Sequence, residues 1–329
     1  MKLFRAALIA ATVFAIVSPA QAQTKLKFAH VYEVSEAYHT AAVWAAGEIG
    51  KRTSNRYTVD VFPASSLGKE TDINQGLSLG TVDIIYTGQL FAGRSYGPIS
   101  IGGAPFVFRD FDHWKKFSTS KLFAELSEGY AKAAGGNQVV AITYYGNRQV
   151  TSNKAINVPA DMKGLKIRVP DAPLYTLFPR AVGANPTPIA FAEVYLALSN
   201  KTVDAQENPL PTIDAKKFYE VQSHINLTAH ITDALLTIIG GPTWAKLSAA
   251  DRKTFVAVFK EAAAKATGEI IDKEKQLETD FAKRGKTVVK VDRKPFIAAV
   301  QRYYKEGKLP GGDALPWSTD VYSKLQAIK

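Results

Sequence analysis

The hydrophobic pattern switches repeatedly between the strand period and the helix period. Residues 26–32 form a strand-like apolar run, and residues 36–51 follow with Ala41, Trp44, Ala45 and Ile49 at helical spacing. Residues 57–62 alternate as a strand that Pro63 ends, and residues 71–79 are helical until Gly80 stops them. Residues 82–86 have the continuous apolar character of a buried strand. Strand, helix, strand, helix, strand in this order predicts an α/β fold with a mainly parallel sheet.

The pattern then breaks and restarts. Residues 97–108, rich in Gly and Pro, read as a loop, and helical segments run from 111 to 133. Residues 138–145 read as a strand, with Gly146-Asn147-Arg148 as a turn after it. A second α/β unit comprises a strand at 165–169, helices at 174–182 and 191–198, and a strand at 203–206, with Asn208-Pro209 in a tight polar turn. Residues 234–239 read as a strand returning to the first unit. Ser248 and Asp251 make a capping-box-like start for a helix with Phe255, Phe259, Ala262, Ala266, Ile270, Leu277 and Phe281 on one side. That helix reaches Arg284, roughly 50 Å at 1.5 Å per residue, and is long enough to cross two domains. A strand at 287–291 and two helical segments finish the chain. The expected division is residues 23–145 plus about 234–273 in one domain, and 146–233 plus about 274–329 in the other.

The start of the chain stands apart. Lys2 and Arg5 precede a short apolar run at residues 6–17, and Ala20-Gln21-Ala22 fits an A-x-A cleavage site. Residues 1–22 therefore read as a secretory signal peptide, with the mature protein soluble in the periplasm. The apolar run is too short for a membrane-spanning helix.

Composition narrows the chemistry. The chain of 329 residues has no cysteine, which excludes disulfides, thiol nucleophiles and cysteine-ligated metals. The formal net charge is +11, but no basic cluster carries interleaved aromatics, so a nucleic-acid partner is not expected. His30, His39, His113, His224 and His230 lack metal-ligand spacing, and there is no G-x-S-x-G elbow, P-loop, G-x-G-x-x-G or H-E-x-x-H. No cofactor or catalytic metal is expected. What remains is a means of holding an anion. In Lys166-Ile167-Arg168-Val169-Pro170, Arg168 stands at the carboxyl end of a strand, where open α/β sheets bind ligands. Its planar fork of donors matches a carboxylate. On these residues alone, a solvated or salt-bridged arginine is the better reading of Arg168, Arg148 in its Gly-Asn-Arg turn is a weaker signal still, and Asn208 before Pro209 reads as turn chemistry.

Four blocks carry a resemblance. They are Tyr145-Gly146-Asn147-Arg148-Gln149-Val150-Thr151-Ser152-Asn153, the run Ala160-Asp161-Met162-Lys163-Gly164-Leu165 continuing through Arg168 to Pro170, Asn185-Pro186-Thr187-Pro188-Ile189-Ala190-Phe191-Ala192-Glu193-Val194-Tyr195, and Val203-Asp204-Ala205-Gln206-Glu207-Asn208-Pro209. In that order they resemble the DctP family, the extracytoplasmic solute-binding proteins of tripartite ATP-independent periplasmic (TRAP) transporters. The resemblance covers essentially the whole mature chain. It implies two α/β domains hinged around a cleft, a long helix spanning both, no catalysis, and a monomer that hands its ligand to a small and a large integral-membrane subunit. It implies that Arg168 clamps the ligand carboxylate, that Arg148 assists, that Asn208 reaches the ligand and that Phe191 lines the pocket. It further implies that Asp171 faces the ligand and that His230 lies near the water network of the cleft. The relatives most similar in these blocks bind sialic acid. Here, however, Val31 replaces an asparagine, and Gly88 and Phe91 replace an acidic and a basic residue of those relatives. The expected ligand is therefore a sugar acid such as a uronate or aldonate, with Tyr32, Glu33 and Gln89 at its far end. A C4-dicarboxylate, sialic acid or another small carboxylate is the alternative within the class, and an exported enzyme acting on an anionic sugar is the alternative outside it.

Overall fold

A computed structural model describes residues 23–329, and the leader read at residues 1–22 lies outside the described residues. Nine strands join one sheet: β1 (Thr24–Ala29), β2 (Tyr57–Phe62), β3 (Ile84–Gly88), β4 (Gln138–Ser152), β5 (Lys166–Val169), β6 (Asn185–Pro188), β7 (Ala205–Pro209), β8 (His224–Ile239) and β9 (Thr287–Lys290). Their order is β2-β1-β3-β8-β4-β7-β5-β6, with β9 paired to β8. Parallel pairs lie at both ends, β1 with β2 and β3, and β5 with β6 and β7. Short βα crossovers dictate those pairings, as the alternating pattern predicts.

The middle of the sheet departs from expectation. β4 and β8 have 15 and 16 residues and run antiparallel to each other through both halves of the molecule. β8 pairs with β9 through His224–Leu227 and with β3 through Leu235–Ile239. The sequence reading stopped β4 at Tyr145 and began β8 only at Ala234. Gly146 is not in a turn: it lies within β4 at φ +117°, where the register on β8 shifts between Tyr144 and Gly146. A bulge and a turn both take glycine at positive φ, so composition does not separate them. Arg148 and Asn208 are likewise strand residues, with Gln149 opposite Asn208 and Arg148 opposite Pro209. Pro209 is tolerated because it ends its short strand.

The 35-residue helix Ala249–Lys283 starts as expected, with Ser248 Oγ accepting from the Asp251 amide at 3.1 Å. It buries Phe255, Phe259, Ala262, Ala266 and Ile270 in the main apolar core, and Leu277 and Phe281 in a second core with Phe218 and Ile225. One helix thus ties the two halves together. At the bulge, Glu274 accepts from the Asn147 amide at 2.7 Å and from the Tyr144 hydroxyl at 2.9 Å. The segments expected as helices at 174–182 and 191–198 begin with 3-10 turns, Pro173–Thr176 and Phe191–Glu193. The Thr319–Gln326 helix packs back onto the first half, where His113 Nε2 lies 3.0 Å from the Leu325 carbonyl. A cleft opens between the halves, beyond the carboxyl ends of β1, β3 and β5, where parallel sheets leave helix N-termini and free loops.

Candidate functional site

Arg168 is the penultimate residue of β5, and it is 1% exposed. Pro170 ends the ladder just beyond it. Its Nε and Nη2 donate to the Ile189 carbonyl at 2.9 and 2.7 Å, which fixes the plane of the guanidinium. Its Nη1 is buried and has no hydrogen-bond partner among the described residues. Burial pulls this guanidinium down to about 10, and the like charge of Arg148 adds to that pull. The group is still a cation at neutral pH, with one donor edge unsatisfied. That condition is costly in a protein interior and is relieved by an anion.

Arg148, on β4, is equally buried but fully engaged. It forms ion pairs with Glu207 and, at 3.0 Å, with Asp233. Its Nη2 also donates to the Glu207 carbonyl at 2.8 Å and to Asn208 Oδ1 at 3.2 Å. Burial by itself would raise the Glu207 carboxyl; the Arg148 charge and the bond from His230 overcome that and hold it at about 2. Burial lowers His230, which keeps it a neutral ring at neutral pH. It stacks on Phe178 at 4.2 Å and bridges Thr228 and Glu207.

A cleft of about 480 Å³, counting its open side, lies against these groups. Arg168, Arg148, Asn208, Tyr32, Phe191 and Asp171 all line it, so the structure brings six of the nine expected residues together. Asn208 presents its amide from β7, with Nδ2 donating to Gln206 at 2.7 Å. Phe191 lies flat enough beside Arg168 for a guanidinium–ring contact at 6.0 Å. Asp171 sits at the rim, its carboxylate 3.5 Å from Arg94. The other three expected residues are not in the wall. Glu33 pairs with Lys216 at 2.7 Å and links the two halves beside the cleft. His230 lies behind Glu207. Gln89 is fully buried against Gly102, where a Cβ would come within 2.0 Å of its side-chain oxygen, and its amide has no partner among the described residues.

Sequence reasoning missed Glu70, Tyr145 and Tyr175, which also line the cleft. Glu70 opens the Glu70–Leu79 helix, and its Oε1 accepts from Thr87 Oγ1 and the Gly88 amide, each at 2.8 Å. Burial pushes this carboxyl up to about 7. Glu70 stands one residue before the helix expected from 71, where nothing in the pattern marks it. Tyr145 read as the last residue of a strand, and Tyr175 as one side of a helix. Only the fold shows that the Tyr175 ring covers Arg148 at 5.2 Å and meets Phe91 at 6.0 Å across the cleft. The lining combines a cationic edge at Arg168 with hydroxyl, amide and carboxyl groups from Tyr32, Tyr145, Tyr175, Asn208 and Glu70. Among the described residues there is no cluster of three or more side chains suited to a metal ion, and no helix is long and apolar enough to cross a membrane.

Comparison with known proteins gives a consistent result. The family described as bacterial extracellular solute-binding protein, family 7 (DctP), matches residues 28–308. The chain is 32% identical over 299 residues to the 2,3-diketo-L-gulonate-binding periplasmic protein of Escherichia coli, covering 89% of this chain and 90% of that one. A TRAP periplasmic solute-binding protein from a Polaromonas species, solved bound to D-erythronate, superposes with a TM-score of 0.86 at 33% identity over 93% of this chain and 99% of that one. One from Roseobacter denitrificans, solved with bound L-galactonate, does so with a TM-score of 0.85 at 30% identity over 93% and 98%.

Proposed function

Because this chain belongs to the bacterial extracellular solute-binding proteins of family 7, we propose that it captures a small sugar acid, an aldonate or uronate, in the periplasm and delivers it as a monomer to the small and large membrane subunits of a TRAP transporter. Family 7 proteins bind and deliver solutes, so the chain is not an enzyme. The observation that carries the reading is the Arg168 guanidinium, buried, held in plane by Ile189 and left with an unpartnered Nη1. A carboxylate there gains charge-assisted hydrogen bonds in a site already shielded from water. Asn208 and Tyr145 flank it, and Phe191 covers one face. Arg148 acts from behind: its charge is shared with Glu207 and Asp233, so it stiffens the wall and orients Asn208.

At the far end, Tyr32, Tyr175 and Glu70 offer hydroxyl and carboxyl groups suited to a polyol chain. These neutral hydroxyls match a polyol chain, which favours a sugar acid over a C4-dicarboxylate. Val31, Gly88 and Phe91 stand where the sialic acid binders carry polar and charged residues, which disfavours the larger sialic acid. We take residues 23–145 and about 234–273 as one lobe and the rest of the mature chain as the other, apart from the last helix. Glu33 with Lys216 and Arg94 with Asp171 join the lobes at the cleft, so opening it breaks both pairs.

A thermal-shift panel of aldonates, uronates, keto sugar acids, C4-dicarboxylates and sialic acid tests this. A ligand at 100 times its dissociation constant raises stability by about 2.7 kcal/mol. A shift with a sugar acid and none with its neutral lactone is expected. A panel with no shift, or turnover of any binder, contradicts the proposal.

A further inference from the structure

Behind the cleft, Glu36 immediately precedes the Ala37–Arg52 helix, makes no side-chain bond to its first turn and is 3% exposed. Its Oε1 accepts from the Glu33 amide at 2.9 Å, and its Oε2 meets Thr212 Oγ1 at 2.7 Å. Thr212 lies in the Leu210–Ala215 helix that follows β7, so this contact joins the two halves. Thr212 Oγ1 is also 3.1 Å from the Tyr145 hydroxyl, which is 3.4 Å from Asn208 Oδ1. Tyr145 and Asn208 both line the cleft. A single file of polar groups therefore runs from Glu36 to the binding wall.

A hydroxyl carries one proton, so the protonation of Glu36 decides how completely the file is filled. With Glu36 ionised, Thr212 donates to Glu36, and the one Tyr145 proton is divided between Thr212 and Asn208, so one of those two contacts is always empty. With Glu36 protonated, Glu36 donates to Thr212, Thr212 to Tyr145, and Tyr145 to Asn208. The second state holds the Asn208 oxygen from two sides, with Arg148 on the other.

We propose that Glu36 is a positioning residue for ligand capture: it takes up one proton from solvent when a carboxylate enters the cleft, and the file then fills to fix Asn208. The inference rests on the solute-binding reading above. Adding an anion to the cleft favours the neutral form of an acid beyond its wall. Burial already pushes the Glu36 carboxyl up to about 7, against the opposing bonds from Thr212 and the Glu33 amide, so the proton is available at neutral pH. The charged and titratable groups facing Glu36 are Glu33 with its partner Lys216, Asp214 with its partner Lys273, Glu269, and the hydroxyls of Tyr38 and Tyr145. The sign follows from linkage. Binding favours the protonated form, so affinity is greatest below about pH 7 and weakens as pH rises, by at most tenfold per pH unit. Glu70 and Glu274 are also held at about 7, so the change on removing Glu36, rather than the wild-type slope alone, carries the test.

The experiment is titration calorimetry at pH 7 with L-galactonate and D-erythronate, in buffers of different ionisation heat, which counts protons taken up per ligand bound. Wild type is expected to take up a substantial fraction of a proton, and Glu36→Gln, which mimics the protonated acid, to lose most of it and show a flatter affinity profile between pH 6 and pH 8. Thr212→Val keeps the acid but cuts the file, and its uptake is expected to fall as well. A merely structural role would weaken binding evenly at every pH with proton uptake intact. That outcome, or equal uptake in wild type and Glu36→Gln, overturns this inference alone. Failure of every acid in the panel to bind at any pH overturns the solute-binding reading, and this inference with it.

Discussion

Arg148 and Arg168 are each 1% exposed, stand on neighbouring parts of one sheet and line one cleft, yet their surroundings are opposite. Every edge of Arg148 is met from inside the protein, by Glu207, Asp233 and Asn208. Arg168 has a carbonyl on one edge and, among the described residues, nothing on Nη1. Burial raises no distinction between them; the leftover hydrogen-bonding capacity does. A saturated buried cation is part of the fold, whereas an unsaturated one is a site for an outside anion.

The comparison breaks most visibly at Arg148. Arg148→Ala leaves Glu207 and Asp233 unpaired in the interior and should lower unfolding free energy by about 3–5 kcal/mol. Chemical denaturation checks this, and an unchanged midpoint would place Arg148 with Arg168 as a free clamp. Arg168→Ala should cost about 2–5 kcal/mol of affinity for a sugar acid and leave stability in the absence of ligand unchanged or slightly raised. Calorimetry and denaturation on the same variant separate the two effects.

Acid should act on the saturated side only. Glu207, at about 2 in the fold, lies below its unfolded value, so its contribution of about 3 kcal/mol is fully present above the unfolded range near 4.5 and disappears as pH falls towards 2. Denaturation series between pH 5 and pH 2.5 should show that loss in wild type and a shallower one in Glu207→Gln. The smallest effect is expected at the far wall. Glu70→Ala should weaken a hydroxylated acid by about 0.5–1.5 kcal/mol while leaving a simple short carboxylate unaffected, as paired titrations would show.

The same contrast explains what the sequence makes legible. The strands β1, β2, β3 and β5 and the long helix were readable because their periods are clean: all seven apolar positions expected on one side of Ala249–Lys283 are buried. The edge strand β6 was not, because Asn185-Pro186-Thr187-Pro188 carries no alternation and two prolines that read as loop. The central strands were not, because β4 and β8 cross the cleft region and carry polar residues such as Arg148, Asn147, Thr232 and Asp233 where a strand usually shows alternation. Gly146 then imitates a turn. Arg168 was readable from its place before Pro170 and from the family-like blocks around it. The far wall was not, since Glu70, Tyr175 and Tyr32 come from three separate segments that only the folded sheet brings together. Gln89 shows the reverse error: it follows a strand end, as a ligand contact should, but the tight packing on Gly102 turns it into the core.

The central claim is that Arg168 holds the carboxylate, and a double comparison tests it most directly. Calorimetry measures L-galactonate and its uncharged lactone on wild type and on Arg168→Ala. Wild type should prefer the acid by more than about 30-fold, equivalent to roughly 2 kcal/mol, and the variant should lose nearly all of that preference. An Arg168→Ala protein that still prefers the acid to the same degree would contradict the account.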